Sequence, residues 1–281
     1  MTDAVLNAKA RRFRELCNGP ILVLPNVWDA AGAALAVRAG ATAVATTSGG
    51  VAWSLGRPDG QGTGREEMAQ AVRRIAAAVD VPVTADMEGG YGPGPEDVAA
   101  TVRAAIDAGA AGINLEDSQA DGTLVTPERQ AERIRAGREA ADAAGVPDFF
   151  INARTDVFLF RVGAEAGRTD DVAARAGSYA KAGADGLFVP GVLDLDVLTR
   201  LVAAVALPVN VMAGKGGPSV TELAAVGVRR VTVGTAIAQA AYGLAERAMR
   251  ELLGAGTCDS LEPELTYSEL NALFAADRKR A

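Results

Sequence analysis

The sequence contains no histidine. That absence excludes Ser-His-Asp hydrolysis, His-ligated zinc and imidazole acid–base catalysis, so proton transfer falls to carboxylates, Lys, Tyr, Cys or water. Aromatic residues are only 5% of the 281, which leaves Ala, Val and Leu to build the core. There are two cysteines, Cys17 and Cys258, far apart and without metal-ligand spacing. A disulfide framework is thereby excluded, and a reduced, cytoplasmic setting is expected. No uninterrupted apolar run reaches the roughly 18 residues of a membrane span, and the N-terminus has no apolar signal segment. With 28 basic and 35 acidic residues the formal charge is −7, so neither nucleic acid nor an anionic membrane is an expected partner. The basic residues are scattered except for Arg278-Lys279-Arg280, which reads as a solvated tail.

What the chain does have is a regular alternation of short apolar runs and longer Ala-rich amphipathic stretches. Strands are expected near 21–25, 43–47, 82–86, 112–116, 149–153, 186–189, 208–211 and 229–233. Helices are expected near 28–39, 65–79, 95–108, 127–144, 170–182, 194–205, 218–226 and 235–253. Gly40, Gly109, Gly183 and Gly227 each stand where a helix would end in a left-handed cap. Proline at 82, 147 and 208 precedes three of the strands. Eight strand–helix units of about 30 residues fit a (β/α)8 TIM barrel over residues 1–253. A doubly wound sheet is the rival. Residues 254–281 remain as an extension in which Tyr267, Leu270, Leu273 and Phe274 have helical spacing; it would pack on the barrel or on a neighbouring subunit.

Carboxylates gather at the expected strand ends. The runs are Val83-Thr-Ala-Asp86-Met-Glu88-Gly-Gly-Tyr-Gly92 and Gly112-Ile-Asn-Leu-Glu116-Asp117, and a third, Phe149-Phe-Ile-Asn-Ala-Arg154-Thr-Asp156, ends in a cation. The active site of such a barrel lies at the C-terminal ends of its strands, which also collects Ser48-Gly49-Gly50, Asn210 and Gly234. Asp86 and Glu88 are two apart and would share a face on extended backbone. With Glu116 they offer hard oxygen ligands suited to Mg2+ or Mn2+. Arg154 would grip a substrate carboxylate; the plainer alternative is an ion pair with Asp156 or Glu116. The N–H groups of Ser48-Gly49-Gly50 would hold a carboxylate or phosphate, or form an ordinary turn. Gly214-Lys215-Gly216-Gly217-Pro218 lacks P-loop spacing and reads as a flexible turn.

Taken in order, Leu24-Pro25…Asp29-Ala30, Ser48-Gly-Gly50, Gly56-Arg-Pro-Asp59, Asp86-Met-Glu-Gly-Gly-Tyr-Gly92, Asn114-Leu-Glu-Asp117 and Ala153-Arg-Thr-Asp156 resemble the isocitrate lyase / phosphoenolpyruvate mutase superfamily. The resemblance runs from Leu24 to Gly234. It implies a (β/α)8 barrel whose eighth helix is swapped between subunits of a homodimer or homotetramer. It also implies Mg2+ and chemistry beside a 2-oxo acid. Asp86 and Glu88 would ligate the metal, although family members often have Asp at the second position. Glu116 and Asp59 would act through waters, with Asp59 on a segment that closes over the site. Ser48, Gly49 and Gly50 would hold the substrate carboxylate, Arg154 its oxo or carboxylate oxygens, and Asn210 would line the far wall.

The chain also departs from the pattern. The family's lyases carry Lys-Lys-Cys-Gly-His after the fourth strand; here the loop is Ser118-Gln-Ala-Asp-Gly-Thr-Leu-Val-Thr-Pro127. The Lys and Asn that the mutases use on that loop are missing too, and Val189-Pro-Gly191 stands where 2-methylisocitrate lyase has a Glu. What remains suits a Mg2+-dependent carbon–carbon lyase acting on a small 2-oxo acid or dicarboxylate through a stabilised enolate. Decarboxylation needs only that electrostatic sink. Retro-aldol cleavage also needs a base, for which Tyr91, Lys215, Glu116 and metal-bound hydroxide are candidates. The rivals are phosphonopyruvate mutase or hydrolase chemistry and a non-catalytic 2-oxo acid binder.

Overall fold

The structure is a computed structural model and describes residues 3–119, 121–262 and 264–275. The basic run at 278–280 lies outside them. The chain begins with a helix absent from the sequence expectation, α1 (Asp3–Asn18). Its buried Leu6, Ala10, Phe13 and Cys17 form one helical stripe. Phe13 meets the ring of Phe150 edge-on at 5.4 Å, so α1 plugs the end of the barrel where the strands begin.

The first barrel strand is in two pieces, β1 (Leu22–Val23) and β2 (Asn26–Val27). Pro25 has no N–H for a ladder, which explains the break. Seven more strands follow: β3 (Val44–Thr46), β4 (Val83–Asp86), β5 (Gly112–Glu116), β6 (Phe150–Arg154), β7 (Gly186–Phe188), β8 (Val209–Met212) and β9 (Arg230–Thr232). All pairings are parallel. β1 pairs with β9 and β2 with β3, so the split first strand closes the cylinder. The eight expected barrel strands are all present.

The outer layer consists of α2 (Ala30–Arg38), α3 (Ser48–Ser54), α4 (Arg65–Ala77), α5 (Pro95–Asp107), α6 (Pro127–Ala143), α7 (Arg168–Lys181), α8 (Leu195–Ala204), α9 (Val220–Ala225) and α10 (Ala236–Gly254). The glycines expected to end helices at 40, 109, 183 and 227 have φ of 100°, 90°, 101° and 91°, a left-handed region that costs other residues free energy. One expectation is corrected: Ser48-Gly49-Gly50 is not an open turn but the buried first turn of α3. Gly214–Gly217 is a turn, as expected, closed by a bond from Gly217 N–H to Gly214 O at 3.1 Å.

The barrel interior holds a polar layer beneath its mouth. Asn152 donates to Asn114 Oδ1 at 2.8 Å and to Asn210 Oδ1 at 3.2 Å. At the opposite end Arg230 is fully buried, its guanidinium 5.3 Å and 5.4 Å from the rings of Phe13 and Phe150. The eighth helix, α10, is unlike the others. Only Ala238 and Ala248 are buried in it, while Met249 is 61% and Leu253 87% exposed. A short final helix, α11 (Tyr267–Ala275), confirms the helical spacing read there and reaches Arg38 through Glu269 at 3.6 Å. No helix among the described residues is long and apolar enough to cross a membrane.

Candidate active site

The ends of β4 and β5 and the segment between α3 and α4 bring Asp86, Glu116 and Asp59 within electrostatic reach of Glu88. Asp86, the last residue of β4, accepts the N–H of Ser48 at 3.2 Å and its hydroxyl at 3.0 Å, both at Oδ2. Its own N–H donates to Thr46 Oγ1 at 2.8 Å. Oδ1 is buried and has no protein partner. A buried carboxylate oxygen left bare is costly unless something else satisfies it. Burial pushes the Asp86 carboxyl up, Arg154 and Ser48 pull it down, and Asp59 pushes it up again.

Glu88 is placed by an unexpected device. Its φ is 49°, so the backbone after β4 turns left-handed rather than continuing extended, and strand alternation is not what aims its side chain. Oε2 accepts the N–H of Gln61, and the Tyr91 hydroxyl stands 3.5 Å from Oε1. Burial, then Asp86 and Asp59, push its carboxyl up to about 8. The segment carrying Asp59 is folded over the site. A Cβ added to Gly49 would lie 2.9 Å from Asp59 Oδ2 and 2.8 Å from Thr235 Cγ2, so only glycine permits that approach.

Glu116 and Arg154 are Cα partners on neighbouring strands. Arg154 Nη1 is 2.8 Å from Glu116 Oε2. Its Nε and Nη2 donate to the two oxygens of the fully buried Asp156 at 2.7 and 2.9 Å. The ion-pair alternative is therefore realised with both partners, and the Nη1 edge is the one left toward the carboxylates. Burial alone would pull the Arg154 guanidinium down; Glu116 and Asp156 hold it above its ordinary value. Burial pushes Glu116 up to about 7, against the pull of Arg154.

Two expected members do other work. Asp117, next to Glu116, points to the opposite side of the sheet. There it accepts the Tyr179 hydroxyl at 2.7 Å, Arg175 Nη1 at 3.0 Å and the Asp156 N–H at 3.1 Å, a purely internal network. Asn210 is fully buried, and its amide is engaged by Asn152, the Val211 carbonyl at 2.9 Å and the Arg230 carbonyl at 3.3 Å. It braces the site from inside the barrel. Ser48 likewise gives its N–H to Asp86, which leaves the amides of Gly49 and Gly50 as the first-turn donors of α3.

Among the described residues no three His, Cys, Asp or Glu side chains form a ready-made metal cluster. The expected direct set of Asp86, Glu88 and Glu116 is thus not pre-assembled: Glu88 and Glu116 each already give an oxygen to Gln61 and Arg154. The donor chemistry nonetheless suits Mg2+, which keeps most of its waters and uses one or two carboxylates. The bare Asp86 Oδ1 is the position such an ion would satisfy.

The loop after β5 folds back on itself. Ser118 bridges Leu124, and Gln119 N–H donates to Thr123 O at 2.9 Å. A cavity of about 520 Å³ lies behind it, lined by Gln61, Gly89, Ser118, Thr126 and Arg133 among others. Gln61 and Arg133 had no signal in the sequence: Gln61 acts through its own backbone N–H, which any residue but proline carries, and Arg133 through the backbone carbonyls of a distant loop.

Comparisons with known proteins agree with this geometry. A family model described as phosphoenolpyruvate phosphomutase matches residues 13–253. The chain is 33% identical over 215 residues to 2-methylisocitrate lyase of Escherichia coli, covering 73% of this chain and 69% of that one. It is 33% identical over 207 residues to oxaloacetate decarboxylase of Rhodopseudomonas palustris, covering 72% and 68%. The solved structure of oxaloacetate acetylhydrolase with the inhibitor 3,3-difluorooxalacetate superposes with a TM-score of 0.85 at 27% identity, covering 98% and 95%.

Proposed function

The chain belongs to the phosphoenolpyruvate phosphomutase family, within the phosphoenolpyruvate mutase/isocitrate lyase superfamily of enzymes, and on that premise we propose that it is a Mg2+-dependent carbon–carbon lyase for a small 2-oxo acid or related dicarboxylate. The observation that carries the proposal is the bare, buried Asp86 Oδ1 beside Glu88, Glu116, Asp59 and the Arg154 guanidinium. Mn2+ would serve in place of Mg2+. Bound there, the cation supplies Lewis-acid stabilisation of charge at the substrate's C2 oxygen. Asp86 would hold it directly, and Glu88, Glu116 and Asp59 directly or through waters.

The chain's own residues would do the rest. Arg154, fixed by Asp156, presents its Nη1 edge to the substrate's oxo or carboxylate oxygens. Gly49 and Gly50 offer amides to the carboxylate. The Asp59 segment would cover the site while leaving water access to C3. In the decarboxylation reading the C3–C4 bond of an oxaloacetate-like substrate breaks and CO2 leaves. The electron pair passes to the C2–C3 enolate, which water protonates at C3. This step needs no nucleophile, in keeping with a loop at Ser118–Pro127 that carries no Cys, Lys or His. The relative that is an oxaloacetate decarboxylase and the neighbour that binds 3,3-difluorooxalacetate support this substrate class. P–C bond chemistry on phosphonopyruvate is the second reading, favoured by the description of the matching family model.

The exposed apolar residues of α10, with Leu261 and Phe274 of the extension, support assembly with further copies of the chain as a homodimer or homotetramer. Assays with oxaloacetate, methylisocitrate and phosphonopyruvate, each with and without Mg2+, test the proposal. Release of pyruvate from oxaloacetate only with the metal is the expected result. Turnover of phosphonopyruvate alone would transfer the assignment to P–C chemistry. Tight 2-oxo acid binding with no turnover would make the chain a binder.

A further inference from the structure

The loop that aims Glu88 is held in a conformation its own residues do not favour. Glu88 and Tyr91 have φ of 49° and 56°, a region that costs a side-chain-bearing residue free energy, and Gly90 and Gly92 are also at positive φ. Such a backbone persists only where its surroundings over-determine it.

Here the four consecutive carbonyls after Glu88 are each held from outside the loop. Arg133 Nη2, from α6, donates to Gly89 O and, at 3.2 Å, to Gly92 O. Thr101 Oγ1, from α5, donates to Gly90 O at 2.7 Å. Arg65, the first residue of α4, donates from Nη2 to Tyr91 O at 3.0 Å and from Nε to Thr101 Oγ1 at 2.8 Å. The Arg133 clamp also reaches the second acidic strand end. Its Nη1 donates to Gln130 Oε1 at 2.6 Å, and Gln130 Nε2 donates to Glu116 O at 3.2 Å. Glu116 N–H in turn donates to Glu88 O at 3.0 Å. Arg133 is 3% exposed, and its hydrogen bonds go to Gln130 and to the backbone of the Glu88 loop rather than to a site carboxylate.

We propose that Arg133, acting with Gln130, is a positioning residue that holds the Glu88 and Glu116 carboxylates beside the Asp86 cation site, by fixing the backbone behind both strand ends. The proposal rests on reading Asp86 and Glu88 as the cation site. Removing the clamp would let the loop relax toward ordinary φ values and carry the Glu88 carboxylate out of range. Outer partners that orient metal ligands are commonly worth about 10- to 100-fold in metal affinity.

The test is calorimetric titration of the full chain with Mn2+ alone, with the melting temperature recorded for each variant. Arg133→Met should weaken Mn2+ binding about 10- to 100-fold in protein that is still folded. Arg133→Lys should recover part of the loss, since it restores a donor to Gly89 O but not the fork to Gln130. Gln130→Met, close in shape, should weaken binding by a few-fold. A folded Arg133→Met that melts earlier yet binds Mn2+ like the wild type would reduce Arg133 to a structural residue and overturn the proposal. If Arg133→Met does not fold, wild-type Mn2+ affinity in both Arg133→Lys and Gln130→Met overturns it equally. Asp86→Asn separates the two ideas. If it abolishes Mn2+ binding while the clamp variants do not weaken it, only this inference fails; if it too binds like the wild type, the cation-site reading fails and takes the inference with it.

Discussion

Asp86 meets Ser48 twice with one oxygen: Oδ2 accepts both the Ser48 N–H and hydroxyl, and Oδ1 is left buried and bare. The buried first turn of α3 thus orients the β4 carboxylate, and a cation would complete it. Asp86→Asn preserves the shape and an acceptor for Ser48 while removing the charge. Mn2+ affinity should fall at least about 100-fold, with circular dichroism unchanged. Wild-type affinity in calorimetry would remove the metal site from the account.

Arg154 should tolerate no substitution, not even lysine. Lysine cannot span Asp156 with two donors and also reach Glu116. We expect Arg154→Lys to lower kcat/KM for the active substrate by about 100- to 1,000-fold, the loss typical of one oxyanion donor. Arg154→Met also leaves Asp156 buried without its cation, which should cost about 3–5 kcal/mol in urea denaturation. Near-normal kinetics for Arg154→Lys would show that the residue serves Asp156 alone.

The raised carboxyls predict a pH dependence with a defined sign. Glu88 and Glu116, pushed up to about 8 and about 7, bind a proton more tightly in the folded chain than when unfolded. Their contribution to stability is therefore present below the unfolded carboxylate range and is lost as pH rises from about 4.5 toward 8. A bound cation reverses the trend, because it favours the ionised forms. Mn2+ binding should tighten between pH 6 and 8 and release protons, read as a buffer-dependent binding enthalpy. Affinity that is flat with pH would mean that these two groups are already ionised in the free protein.

Asp117 should behave as a scaffold residue despite its place beside Glu116. Asp117→Asn breaks a buried pair with Arg175 and weakens the bond from Tyr179. It should cost about 3 kcal/mol of stability and leave the Mn2+ affinity of the folded protein unchanged. A selective loss of metal binding would return Asp117 to the site.

The exposed side of α10 should govern assembly. Light scattering on Met249→Glu/Leu253→Glu should show a smaller species than the wild type, since charge in the centre of an apolar contact is strongly disfavoured. Equal masses for the two proteins would place the interface elsewhere.

Much of this protein is written locally. The helix-ending glycines at 40, 109, 183 and 227, the eight apolar runs and the carboxylates just past them follow from short-range periodicity and backbone preference, which need only neighbours in sequence. They sufficed for the barrel and for Asp86, Glu88, Glu116 and Arg154 as its polar mouth. Tertiary structure alone decided how those groups are used. It sent Asp117 through the sheet to Arg175, gave Arg154 to Asp156, and turned Ser48 toward Asp86. It also set Glu88 in a left-handed turn under the hold of Arg133. Apart from the Arg154–Asp156 pair, which is local and was one of the alternatives open in the sequence, each of these depends on which atoms meet across segments 30 or more residues apart, and a hydrogen bond between such segments leaves no periodic trace in either one.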